Sequence, residues 1–207
     1  MQDKSLYNMN TVGIESVIST NKVLKNTYML LGLTLLFSAV TAGISMAMGL
    51  PHGAALILTL VGFGLLFVVN RTADSSKGLI AIFAFTGVMG ASIGPMLNYY
   101  LAMPGGPALV MQALGGTAVV FFGLSAYALT TRKDFSYMGG FLMVGLLVAV
   151  VAMIANIFLA IPALSLTISA AVVMIMSGLI LFDTSRIING GETNYIRATV
   201  ALYLDIY

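Results

Sequence analysis

Two aspartates stand where a chain this apolar should carry no charge. Asp183 follows the uncharged run from Ala163 to Phe182, and Asp205 lies within residues 198–207, whose other members are apolar, hydroxyl-bearing or aromatic. An aspartate at the centre of a membrane helix costs ~3 kcal/mol on insertion scales, so it normally faces a partner or a water-filled cavity rather than lipid. Two on consecutive apolar segments point to one shared site, a protonatable or cation-binding pair. The structural alternative is two carboxyls each hydrogen-bonded to Ser, Thr or Tyr on neighbouring helices. A close carboxylate pair would share one proton over some pH range and titrate as a unit. Calcium takes about six to eight oxygen ligands, so two carboxylates with waters would give only a weak, transient site, better suited to conduction than to storage.

Spacing sets a condition on that pairing. Arg186 and Arg197 can extend to the headgroups and mark the membrane boundary. Asp183 then lies about one helical turn inside. Asp205 is eight residues past Arg197, roughly 12 Å deeper at 1.5 Å per residue. The carboxylates meet only if the helices tilt or the last helix starts nearer Ala198. Arg71 is the candidate basic partner, against its reading as a snorkelling residue at a helix end.

Other chemistry is thinner. Asn98 and Asn156 fall at or inside apolar segments, where they either hydrogen-bond between helices or line an aqueous path, the first being the simpler reading. Gly123-Leu124-Ser125-Ala126 resembles the surroundings of an intramembrane serine nucleophile, but such a serine needs a base within hydrogen-bond reach, and the one histidine, His52, falls in a turn at the opposite side of the membrane. The chain has no cysteine, which excludes disulfide and thiol chemistry, and the single histidine argues against a zinc site. Its 14 methionines form no cluster of metal-ligating type and read as packing residues. No phosphate-binding loop is present. These readings favour a protein that is not an enzyme, with no cofactor beyond weakly bound calcium and no nucleic-acid partner.

The elements that must position the acids are membrane helices. At 59% hydrophobic and 8% charged residues, this composition is far from that of a water-soluble domain, whose charged share is about 25%. The uncharged runs have helical length rather than the alternating ten-residue pattern of a barrel. The expectation is an all-α integral membrane bundle of seven helices, over about 28–48, 53–70, 79–101, 108–130, 137–160, 163–183 and 196–207. Residues 1–27 are expected to form a mobile cytoplasmic tail, with a short interfacial turn near Val12 to Ile18 and no cleaved leader. The seventh segment supplies only 12 residues, about 18 Å of helix, and reads as a truncated span. All nine Lys and Arg fall in the N-terminal region or in the connections after the second, fourth and sixth segments. That asymmetry puts the N-terminus and those connections in the cytoplasm and sends the last helix outward. Gly87, Gly90 and Gly94 in the third segment, and Gly115 and Gly116 in the fourth, are small-residue surfaces where a neighbour can approach.

Several stretches together resemble a known family: Thr86-Gly87 through Gly94-Pro95 with Asn98, Gly115-Gly116-Thr117 through Ser125-Ala126-Tyr127, Leu129-Thr130-Thr131-Arg132-Lys133-Asp134, Ala155-Asn156-Ile157-Phe158-Leu159, and Gly190-Gly191-Glu192-Thr193-Asn194-Tyr195-Ile196-Arg197-Ala198-Thr199. Over nearly its whole length the chain resembles the Bax inhibitor-1 family of seven-helix membrane proteins, and within it the bacterial members that modulate the FtsH protease. The resemblance implies a bundle around a central seventh helix. It also implies acids on helices six and seven, matched in position by Asp183 and Asp205, that act as a pH-sensitive latch for a calcium leak. A basic partner on the second helix has Arg71 as its one candidate here. For the bacterial members it implies an inner-membrane location, surrounded by lipid, and binding to FtsH that restrains degradation of membrane substrates.

Overall fold

The computed structural model describes residues 19–207. The order of elements is α1 (Gln2–Ala47), α2 (His52–Thr72), α3 (Lys77–Leu101), α4 (Gly106–Thr131), a 3-10 turn (Ser136–Met138), α5 (Gly139–Leu159), α6 (Pro162–Ile188) and α7 (Tyr195–Ile206). No strand occurs among the described residues. Six helices are long and apolar enough to cross a membrane, the first of them over Ser19–Ala47. In a bilayer a helix satisfies its own backbone, which is why apolar runs of this length take that form. Their outward side chains are apolar and bare: Phe67, Phe158, Leu166 and Met174 are all more than 70% exposed. Such a belt belongs in hydrocarbon rather than water. The chain is an all-α membrane protein.

Boundaries differ from the sequence reading mainly at two places. Of the tail expected over residues 1–27, residues 1–18, including the turn near Val12 to Ile18, lie outside the described residues; residues 19–27 are helical and run unbroken into the first span. The sixth helix continues five residues past Asp183 to Ile188, so Asp183 lies more than a turn inside it. It stops at Gly190, whose φ of +75° is the left-handed conformation that closes a helix end, and the Gly191 N–H returns to the Arg186 carbonyl at 2.8 Å. The seventh helix, 12 residues long, is too short to be counted as a span.

Close approach of α1 and α3 is the main packing event. A Cβ on Gly90 would lie 2.6 Å from the Ser38 Cα, and Gly87 and Gly94 face Phe37 and Ser45 in the same way. The expected small-residue surface on α3 therefore receives α1. Within it, Pro95 has no N–H to give the carbonyl of Ala91, four residues back, and the Ser45 hydroxyl donates to that carbonyl instead at 2.7 Å. Ser38 donates to the Thr86 carbonyl at 2.6 Å. Gly115 and Gly116 behave differently, since a Cβ on either would meet nothing within 4 Å. That stretch of α4 does not receive a helix of this chain. The reason is rotational: the buried face of α4 is carried by Phe121, Ser125 and Ala128 instead.

The seventh helix is buried along most of its length, at Ile196, Ala198, Thr199, Val200, Leu202 and Tyr203, against α1, α2, α3 and α6. Its start is clamped. Asn194 caps it, accepting from the N–H groups of Ile196 at 2.8 Å and Arg197 at 3.2 Å. The same amide donates to the Ala73 carbonyl at 3.0 Å and to Asp74 at 2.8 Å, while Arg197 pairs with the other Asp74 oxygen. The α2–α3 connection is thereby tied to the first turn of α7. The arginine pair is solvent-exposed and contributes little, but the cap contributes about 1 kcal/mol.

Two outcomes follow for thermal unfolding in detergent. Gly90→Ala should destabilise by about 1–3 kcal/mol through overpacking against backbone that cannot yield, whereas Gly116→Ala should stay within about 0.5 kcal/mol. Equal midpoints for the two variants would mean that α1 and α3 are not in backbone contact. Asn194→Ala should cost about 1–2 kcal/mol, and an unchanged midpoint would remove the clamp from the account.

Candidate functional site

Asp183 and Asp205 come together. The contact between α6 and α7 brings the two carboxyls close enough to interact with each other. Side-chain direction reduces the axial offset that the spacing imposes. Helical side chains lean toward the N-terminus of their own helix, so Asp183 leans away from the connection and Asp205 back toward it. Both side chains are largely shielded, the Asp183 side chain being 14% exposed. Two ionised carboxylates are acceptors only, so their contact becomes a hydrogen bond only when one holds a proton. Without that proton, Oδ2 of Asp205 is buried with no hydrogen-bond partner. An orphaned acceptor of this kind is costly in a poorly solvated bundle.

The cation beside the pair is Arg186 rather than Arg71. Arg186 Nη1 lies 3.6 Å from Asp183 Oδ1, one turn along the same helix, and Nη2 lies 3.9 Å from Glu192. Its guanidinium also sits 5.5 Å from the centre of the Phe182 ring. Arg71, at the end of α2, is exposed and makes no ion pair among the described residues. The i, i+3 spacing of Asp183 and Arg186 was the available signal for this partner. Glu192 could not have been placed the same way, because the turn at Gly190 decides where its side chain returns.

No group of three or more Asp, Glu, His or Cys that could hold a metal ion occurs among the described residues. Asp183 and Asp205 alone offer a calcium ion far fewer oxygens than it prefers.

Around the acids the helices are joined by hydroxyls. Tyr203, two residues before Asp205, hydrogen-bonds the Ser38 hydroxyl at 2.6 Å, and Tyr207 bonds Ser92 at the same distance. The Tyr203 and Tyr207 rings stack with centroids 6.0 Å apart. On the other side of the pair, Tyr28 and Thr184 hydroxyls lie 3.4 Å apart. These links hold α7 and α6 against α1 and α3. Nothing in the spacing of these residues announced them, since each partner lies more than 100 positions away.

The remaining sequence candidates have structural surroundings. Asn98 donates to the Met46 carbonyl at 3.0 Å, and Asn156 donates to Ser165 at 2.6 Å while accepting from the Ile161 N–H. Both knit helix ends together. Ser125 Oγ is buried without a hydrogen-bond partner, and His52 packs edge-on against Tyr99. At the connection between α4 and α5, hydrogen bonds from the Ser136 side chain and backbone N–H hold the Asp134 carboxyl below the usual carboxylate range. That turn is fastened to α6 by the Phe135 N–H, which donates to Ser185 at 2.8 Å.

Comparison with known proteins places this architecture. Residues 20–207 match the family model described as inhibitor of apoptosis-promoting Bax1. A relative from Escherichia coli K12, named modulator of FtsH protease YccA, is 58% identical over 193 residues, covering 93% of this chain and 87% of the relative. An uncharacterized membrane protein of Vibrio cholerae is 51% identical over 95% of this chain and 88% of its own length. A protein of Pseudomonas aeruginosa is 44% identical over all of this chain and 92% of its own length. A match that runs through every membrane helix and both aspartates settles the family: the chain belongs to the Bax inhibitor-1 family.

Proposed function

We propose that this chain is an inner-membrane regulatory protein that binds the FtsH membrane protease and modulates its action on membrane substrates. The observation that carries this is the 58% identity, across 93% of the chain, to the relative named as a modulator of that protease. Packing is consistent with the role. A bundle whose α1 and α3 interlock at glycines, and whose α7 is capped and clamped, resists being pulled apart. It can occupy a protease without being consumed. In this reading α7 is the central helix of a seven-helix bundle, supported by its contacts with α1, α2, α3 and α6. The N-terminus is cytoplasmic, supported by the distribution of Lys and Arg. The protein acts by association rather than by catalysis. Residues 1–18, polar and preceding the first span, are the segment that the protease engages.

Co-purification with FtsH in detergent tests this. The full chain should be retained, and deletion of residues 1–18 should abolish retention while leaving the unfolding midpoint within about 0.5 kcal/mol of the parent. Retention of the shortened chain at parental levels, with unchanged substrate turnover, would defeat the role given to that segment; absence of retention for the full chain would defeat the proposal itself.

A second reading uses the acids as a pH-dependent gate for calcium or another cation, and it is favoured by one observation, the buried unpartnered Asp205 oxygen beside Asp183. In that reading the pair is closed when it shares a proton and open when both carboxyls are ionised. Calcium flux in proteoliposomes should then lose its pH dependence in Asp205→Asn, and adding Asp183→Asn should change little more, because members of one unit give non-additive losses. Additive effects would mean two separate sites. Wild-type flux and midpoint in both single variants would make the acids structural.

A further inference from the structure

A second polar feature lies at the same end of the bundle as Arg186. A cavity of about 320 Å³ opens between the start of the first span and the ends of α4 and α6, lined by Thr20, Asn21, Leu24, Leu129, Arg132 and the turn at Ile188 to Gly190. Its composition is divided. Leu24, Leu129 and Ile188 supply an apolar floor, and Thr20, Asn21 and Arg132 supply donors. The side chains of those three donors make no hydrogen bond or ion pair with any described residue. Among the described residues no carboxylate lines the cavity. Lys133 beside it, and Lys22 and Lys25 on α1, are exposed and add positive charge without an ion pair among the described residues.

Two helix C-termini meet here, and their free carbonyls would ordinarily attract a cation. Four of them are already occupied. The Arg132 N–H caps the Ala128 carbonyl at 2.9 Å, the Asn189 N–H caps Ser185 at 2.9 Å, and Gly190 and Gly191 cap Ile187 and Arg186. What remains facing the cavity is a guanidinium with neutral donors around it, which selects an anion. Guanidinium geometry matches two oxygens of a phosphate. The cavity lies where the apolar spans of α1, α4 and α6 end, at the level of lipid headgroups. A free anion would leave the apolar floor unused.

We propose that this cavity binds the headgroup of an anionic phospholipid, with Arg132 on the phosphate, Thr20 and Asn21 hydrogen-bonding its oxygens, and Leu24, Leu129 and Ile188 receiving the first carbons of the lipid chains. The site is separate from the Asp183–Asp205 pair and does not depend on protease binding.

The test is binding of short-chain phosphatidylglycerol to the full chain, purified in detergent and stripped of lipid. Native mass spectrometry and the thermal midpoint give the readouts, with short-chain phosphatidylcholine and inorganic phosphate as parallel probes. Phosphatidylglycerol should bind saturably and raise the midpoint more than either alternative. Arg132→Asn, chosen because asparagine tolerates the left-handed backbone at this position, φ 49°, should weaken binding about tenfold, the loss expected for one charge-assisted pair. Lys133→Gln, which removes a charge outside the lining, should stay within about twofold. Should Arg132→Asn fail to fold, Asn21→Leu fills the cavity without touching the charge and should also weaken binding at least about tenfold. Undiminished phosphatidylglycerol binding in the folded lining variants would overturn the proposal. So would equal binding of phosphatidylcholine, or an equal effect of inorganic phosphate, which would make this a free-anion site.

Discussion

Within a bilayer, a polar group that the protein does not satisfy finds no water to replace the missing partner, and this constraint explains most of the contacts described here. Pro95 illustrates it at the smallest scale. By withholding one N–H it leaves the Ala91 carbonyl open, and Ser45 of α1 fills the position at 2.7 Å. That donation requires the two backbones to be close, which requires Gly90 and Gly94. A break in one helix thus becomes an attachment point for another. The same logic holds at Thr86, whose carbonyl receives Ser38, and through Ser38 reaches Tyr203 of α7. The chain of hydroxyls that results runs from α3 through α1 to the helix that carries Asp205.

Among the described residues this accounting leaves two remainders, the Ser125 hydroxyl and the acid pair. Asp183 has Arg186 at 3.6 Å, but Asp205 has no cation of its own and a buried oxygen without a partner. Everything around it is satisfied: the tyrosines on α7, the cap at Asn194 and the turn at Gly190. A well-bonded frame around an underbonded carboxyl differs from a generally loose interior. Because α7 is held at its first turn by the α2–α3 connection, a change in the contact between α6 and α7 would be felt along a helix fixed at one end.

The two ends of the bundle also differ in character. On the side of Arg186 the helix ends are extensively capped and cross-linked, by Asn189 to Ser185, by Ser185 to Phe135 and by Asn194 to Ala73. On the opposite side the beginning of α4 is exposed around almost its whole circumference. Polar residues are concentrated where three connections meet, so recognition by a partner or by headgroups is expected at that end.

Much of this protein was legible in the residues alone. The length and purity of the apolar runs determined a helical membrane protein, because hydropathy is a local sum and needs no knowledge of neighbours. Asp183 and Asp205 stood out for the same reason, and five separated stretches carried the family. Three things were decided only by the tertiary structure. Whether the acids meet depended on the register of α6 against α7 and on the opposite lean of their side chains. The choice of Arg186 over Arg71 depended on where α6 ends. The difference between Gly90, pressed against α1, and Gly116, open on all sides, depended on how each helix is rotated. Rotation is hard to read in a membrane helix because the side facing lipid and the side facing its neighbours are both apolar, so the stripe that orients a helix in water is missing.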